Sequence, residues 1–106
     1  MDWVKRQNEI LHIGSDWRRA YTLATDLDIS SGQAVCKIRT GQGKLLCEAE
    51  TVIQDKTVYV TIPSAETLKI DKAYNKGEYD VFLTVGTNVF KLIMGDIAFI
   101  RDVSMH

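Results

Sequence analysis

Apolar and polar residues alternate at every second position along most of this chain, and only one proline interrupts it. The pattern therefore predicts strands joined by short turns rather than helices. From Arg19 onward, Tyr21, Leu23, Leu27 and Ile29 fall on one face, while Ala20, Thr22, Ala24, Asp26 and Asp28 fall on the other. Ser30-Ser31-Gly32 turns the chain, with glycine supplying the backbone freedom. A strand over residues 33–39, its partner over about 44–53, and a third over 57–62 follow, joined by Thr40-Gly41-Gln42-Gly43-Lys44 and Gln54-Asp55-Lys56. These three predict a meander.

Pro63-Ser64 ends that run, because proline cannot donate to a ladder and serine is a favourable N-cap. Residues 65–70 then suit one or two helical turns crossing between sheets, with Leu68 facing the core. A closing hairpin is expected over 78–85 and 89–103, joined by Gly86-Thr87-Asn88. Along its second strand Phe90, Leu92 and Met94 share a face. A glycine bulge at Gly95 would hand that face to Ile97 and Phe99, leaving Ile93, Ala98 and Ile100 opposite. Apolar residues on both faces of this strand predict a homo-oligomer, since a monomer would expose a patch or a sheet edge.

The amino terminus is less regular. Trp3, Gln7, Ile10 and Leu11 suit a helix, whereas residues 9–13 suit a short strand; the favoured reading is a mobile or swapped arm over 1–8, then a strand. The whole pattern implies an all-β, antiparallel immunoglobulin-like β-sandwich over 9–104. It has seven to eight strands and one short helical crossover, with a small closed barrel as the second choice.

Composition narrows the function. With 106 residues the chain is one domain that can bury a sizeable core, and its net charge of -1 provides no field for a polyanion, so nucleic acid is not an expected partner. Charges in the first nine residues replace the apolar stretch of a signal peptide, and no segment approaches a membrane span. Synthesis and folding in the producer's cytoplasm, away from membranes, are expected.

Chemistry-bearing residues are sparse. Cys36 and Cys47 flank a hairpin turn and are in phase with core positions, so buried free thiols are favoured over a disulfide. Neither has the second ligand that a zinc site places two to four residues away. Asp26, Asp28 and Ser30 imitate a calcium loop, but Ser31 stands where glycine is needed and Lys37 where glutamate is needed. Gly43-Lys44 is followed by Leu45, which excludes a phosphate-binding P-loop. Glu48 and Glu50 share a face that reads as solvated, and His12 stands without a nucleophile turn near Ser15, Ser30 or Ser64. No cofactor and no catalysis are expected. Among aromatics, Tyr21 and Tyr79 follow the core phase, Tyr59 faces outward, and Trp17 beside Arg18 and Arg19 is either a surface anchor or a core lid.

Several short motifs follow one another along the chain: Gly14-Ser15-Asp16, Asp26-Leu27 with Ser31-Gly32, Lys37-Ile38-Arg39, Ala65 to Leu68, Gly77-Glu78-Tyr79-Asp80, Met94-Gly95-Asp96-Ile97 and Asp102-Val103-Ser104. Their order resembles the small β-sandwich domain of phage and prophage tail-associated virion proteins, including the amino-terminal domain of baseplate upper proteins and related long-tail-fibre-associated sandwich domains. Together the motifs run from about Ile10 to Ser104. Baseplate proteins of this kind continue into further domains, whereas this sequence ends at His106.

The resemblance implies a non-enzymatic structural module of a tail or baseplate, located in the virion and partnered by other phage structural proteins. A carbohydrate- or receptor-binding sandwich is the alternative. The expected contact residues are Trp3, Trp17, Arg18, Arg19, Ile93, Ala98 and Ile100.

Overall fold

A computed structural model describes residues 4–101. Nine strand segments and one helical turn follow one another: β1 (Lys5–Arg6), β2 (Glu9–His12), β3 (Trp17–Thr22), β4 (Gln33–Arg39), β5 (Leu45–Glu48), β6 (Glu50–Gln54), β7 (Thr57–Ile62), α1 (Ser64–Thr67), β8 (Lys76–Val85) and β9 (Asn88–Ile100). The larger sheet has the order β1-β9-β8-β4-β5, with β2 also on β9; the smaller has the order β3-β7-β6. Inward residues from both sheets, among them Leu11, Ile38, Val60, Val81, Leu83 and Ile97, close one fully buried core. This is an immunoglobulin-like β-sandwich, with α1 as the helical crossover between sheets.

The helical turn is held from outside. Asp16 accepts a 2.7 Å hydrogen bond from the Ser64 backbone N–H, and the Gly14 N–H donates to the Thr67 hydroxyl at 2.9 Å. Pro63, not Ser64, occupies the N-cap. Thr67 and Ile70 turn into the core while Leu68 is exposed, which reverses the expected orientation of Leu68.

Three further expectations are corrected. The strand expected over 44–53 is two strands in different sheets: β5 pairs with β4, and β6 pairs with β7. The chain changes sheet at Ala49, whose N–H still bonds to the Cys36 carbonyl, and Thr51 then caps the Ala34 carbonyl with its hydroxyl at 2.7 Å. No meander forms.

The bulge in β9 lies at Leu92 rather than Gly95, because Val81 pairs with Ile93 and Phe82 with Lys91. That extra residue places Leu92 and Ile93 both in the core. Ile93 is therefore not on the outer face with Ala98 and Ile100.

The described part of the expected arm is ordered on its own chain. β1 and β2 pair with β9 in parallel and share one register, Lys5 with Ile93 and Glu9 with Ile97, so they form one strand interrupted at Gln7-Asn8. Apart from that strand, every pairing is antiparallel. Because β1 and β2 cover the second half of β9, that half of the last strand is not a sheet edge.

Candidate functional site

The densest polar arrangement sits where β2 and β3 face each other across the mouth of the sandwich. Strand alternation turns Glu9 and Leu11 inward, leaving Ile10 and His12 exposed, and it turns Trp17, Arg19 and Tyr21 inward on β3. Glu9 thus arrives buried, its side chain 7% exposed, and it is fully partnered. Arg19 contacts Glu9 Oε1 through Nε at 2.9 Å and Nη2 at 2.8 Å, and the Gln7 side-chain amide donates to Oε2 at 2.8 Å.

Aromatic rings continue the network. The Arg19 guanidinium lies 4.7 Å from the centre of the Trp17 ring, and the Trp17 indole N–H donates to the Ile10 carbonyl at 3.1 Å. Trp17 meets Tyr79 edge to face, with centroids 6.3 Å apart and planes at 70°. Tyr79 in turn donates its hydroxyl to the Gln7 carbonyl at 2.6 Å. Trp17 on β3 of the smaller sheet and Tyr79 on β8 of the larger thus meet across the sandwich. Burial, followed by the nearby Glu9 carboxylate, pushes the Tyr79 phenol up to about 12.

Beside this network runs a groove of about 500 Å³, lined by Lys5, Gln7 and Glu9 on one side, residues 19–24 on the other, and Leu92 and Ile93 at its floor. Tyr21 lines it, and its buried hydroxyl has no hydrogen-bond partner among the described residues. Burial raises the Tyr21 phenol well above its ordinary value, so it stays neutral. A second groove of about 460 Å³ separates the turn at Thr40, Gly41 and Gln42 from residues 73–78.

Elsewhere the candidates scatter. Cys36 and Cys47 are both free and buried, and burial pushes the Cys36 thiol up to about 12. Glu48 and Glu50 are exposed but lie on strands of different sheets. His12 is exposed, and among the described residues no group of three or more His, Cys, Asp or Glu side chains is placed to hold a metal ion.

The expected contact residues do not form one patch. Trp17 is 3% exposed, so it is a core lid and not a surface anchor; it is inward because its phase matches Arg19 and Tyr21 across the Glu9 network. Ile93 is buried by the Leu92 bulge. Arg18 is exposed on the outer face of β3 and bonded to Asp16, Arg19 is mostly buried, Ala98 is half-buried, and Ile100 is exposed near the end of β9. Trp3 lies outside the described residues. Gln7, Glu9, Tyr21 and Tyr79 are site residues outside the expected contact set. The in-phase series Glu9, Leu11 and Ile13 carried the signal for an inward carboxylate.

No protein-family profile matches the chain, and no curated protein matches it by sequence. Solved structures do match in shape. A putative glycoside hydrolase from Bacteroides vulgatus aligns over 91% of this chain and 17% of its own, at 10% identity and a TM-score of 0.52. Titin kinase with its flanking domains aligns over 93% of this chain and 16% of its own, at 10% identity and a TM-score of 0.50. The M1 domain of titin aligns over 92% of this chain and 91% of its own, at 9% identity and a TM-score of 0.47. The chain thus spans about a sixth of the length of the first two, and those likenesses concern the fold alone.

Proposed function

We propose that this domain is a non-enzymatic structural module that acts through protein contacts in a phage or prophage tail or baseplate. The observation that carries the non-enzymatic part is what the buried polar groups do. Arg19 on the smaller sheet is tied to Glu9 on the larger, and Gln7 and Tyr79 fasten the amino-terminal strand beside them, with distances of 2.6–2.9 Å and both Glu9 oxygens occupied. A carboxylate held that way is a structural tie. The phage part rests on the ordered motifs of the sequence, from Gly14-Ser15-Asp16 to Asp102-Val103-Ser104.

The test is compositional. Virions or tails purified from a lysogen that encodes this chain are expected to contain it by mass spectrometry, cross-linked to a tail or baseplate protein. Its absence from the particles, with normal assembly after deletion, would sink the reading.

A carbohydrate- or receptor-binding module is the second reading, favoured by Tyr59, which is 43% exposed on the outer face of the smaller sheet beside the exposed Val52. Trp17 is buried and cannot serve as its platform. Loss of glycan-array or cell binding in Tyr59→Ala is expected if this reading holds; a silent array removes it.

A further inference from the structure

We propose that the outer face of the larger sheet is a self-complementary surface through which two copies of this chain pack face to face. The inference stands independently of the phage reading.

Alternation along β4 turns Ala34, Cys36 and Ile38 into the core and leaves Val35, Lys37 and Arg39 on the outer face. Along β8 it buries Tyr79, Val81 and Leu83 and leaves Glu78, Asp80 and Phe82 outside. The ladder sets the outer residues directly opposite one another: Val35 with Phe82, Lys37 with Asp80 and Arg39 with Glu78. One strand is therefore basic where its neighbour is acidic, with an apolar pair beside them. Within the chain these charges stay largely unpaired. Lys37 reaches Glu48 at 3.9 Å, and among the described residues Arg39, Glu78 and Asp80 enter no salt bridge.

The charges select both the occupant and its orientation. A two-fold axis lying in the face, along the strands and between β4 and β8, sets each β4 over the partner's β8. Lys37 then meets the partner's Asp80, Arg39 meets the partner's Glu78, and Val35 meets the partner's Phe82, each contact being made twice. An axis across the strands would instead set basic β4 over basic β4 and acidic β8 over acidic β8. The complementarity belongs to these side chains and not to strand geometry. The corresponding outer rows of β3 and β7 are Arg18 with Thr61, Ala20 with Tyr59 and Thr22 with Thr57, which hold a single charge.

Size favours the same face. Five strands in sequence across the larger sheet, about 4.8 Å apart and rising about 3.3 Å per residue, give a flat footprint of roughly 500 Å². Long side chains raise the accessible area of that footprint towards the roughly 800 Å² per partner of a standard interface. The three-stranded sheet offers roughly half as much.

Sedimentation velocity on the full chain, from micromolar to millimolar concentration, tests this. The wild type is expected to pass from monomer to dimer in low salt and to dissociate as salt screens the pairs. Lys37→Glu with Arg39→Glu makes both strands acidic, and Glu78→Lys with Asp80→Lys makes both basic; each double variant alone is expected to lose about tenfold or more in self-association. Mixed in equal amounts, the two are expected to form a heterodimer, because each β4 again meets a β8 of opposite charge. A short bismaleimide reads the geometry: Lys37→Cys mixed with Asp80→Cys should cross-link in higher yield than either variant alone. Cys36 and Cys47 are buried and do not compete. Circular dichroism checks folding, and should a charge variant fail to fold, the cysteine pair and the salt series decide. A monomer at millimolar concentration in low salt overturns the proposal. So does a dimer that the charge variants leave unchanged, or one that cross-links through Val52→Cys on the smaller sheet and not through positions 37 and 80.

Discussion

The Tyr79 hydroxyl donates a 2.6 Å hydrogen bond to the Gln7 carbonyl, 72 residues away in sequence. Gln7 sits at the interruption between β1 and β2, so its carbonyl is satisfied by a side chain from β8 where the strand bends. Tyr79→Phe keeps the ring against Trp17 and removes only that bond. A loss of about 1–2 kcal/mol in urea unfolding is expected. Together with faster amide exchange at Lys5 to Asn8, this would identify Tyr79 as the clasp on the amino-terminal strand.

Gly95 is the other half of that clasp. A Cβ added there would stand 2.0 Å from the Gln7 carbonyl oxygen and 2.7 Å from its carbon, both backbone atoms that cannot swing aside. Gly95→Ala is therefore expected to cost about 2 kcal/mol or more and to release β1 and β2 from β9. Exchange protection of residues 9–12 reads the second effect; unchanged protection would show that the strand bypasses the contact.

These positions show what could and could not be read in advance. The glycine at 95 stood out as a break in an apolar strand, yet the true bulge at Leu92 was hidden because Leu92 and Ile93 are both apolar and both phases look alike. The switch of sheet at Ala49 was equally silent. A strand that bends from one sheet of a sandwich to the other keeps the same side towards the core, so alternation through Cys47, Ala49, Thr51 and Ile53 continues without a fault. Sandwich class, helical crossover, free thiols and outward Tyr59 were legible because each depends on local phase or on one residue type. The Glu9–Arg19 pair and the parallel strand at the amino terminus depend on contacts between distant segments.

That pair gives a further prediction. Arg19→Met preserves the stem over Trp17 but leaves the buried Glu9 carboxylate with one partner, Gln7. A cost of about 1–3 kcal/mol is expected, lower than for a fully buried pair because the Arg19 side chain is 35% exposed. Adding Glu9→Gln should recover most of it. A double variant as unstable as the sum of the singles would mean that the two side chains do not act as a pair.

The cysteines should be silent until the domain opens. Cys36 is 0% and Cys47 7% exposed, burial holds both thiols in the protonated form, and Cys47 lies opposite Ile38 in the ladder and not opposite Cys36. A thiol reagent should label neither in the native state and both in urea, with native labelling tracking global unfolding. Rapid labelling of one thiol in native buffer would reveal local opening of β4 or β5.

Stability should fall on the alkaline side. The Cys36 thiol is raised from 9.0 to about 12 and the Tyr79 phenol from 10.0 to about 12, in both cases chiefly by burial, and the Tyr21 phenol is raised further. Each group holds its proton more tightly when folded, so its contribution is complete below its unfolded value. Above that value the unfolded chain binds fewer protons than the native one, and unfolding becomes easier with rising pH. Urea midpoints should thus be level with respect to these groups between pH 7 and about 9 and decline from there to about 12, by an amount on the order of a few kcal/mol. Tyr79→Phe separates the contributions, because it deletes one titrating group and should flatten the decline between about pH 10 and 12. A variant curve parallel to the wild type across that interval would assign the alkaline loss to the thiol and to Tyr21.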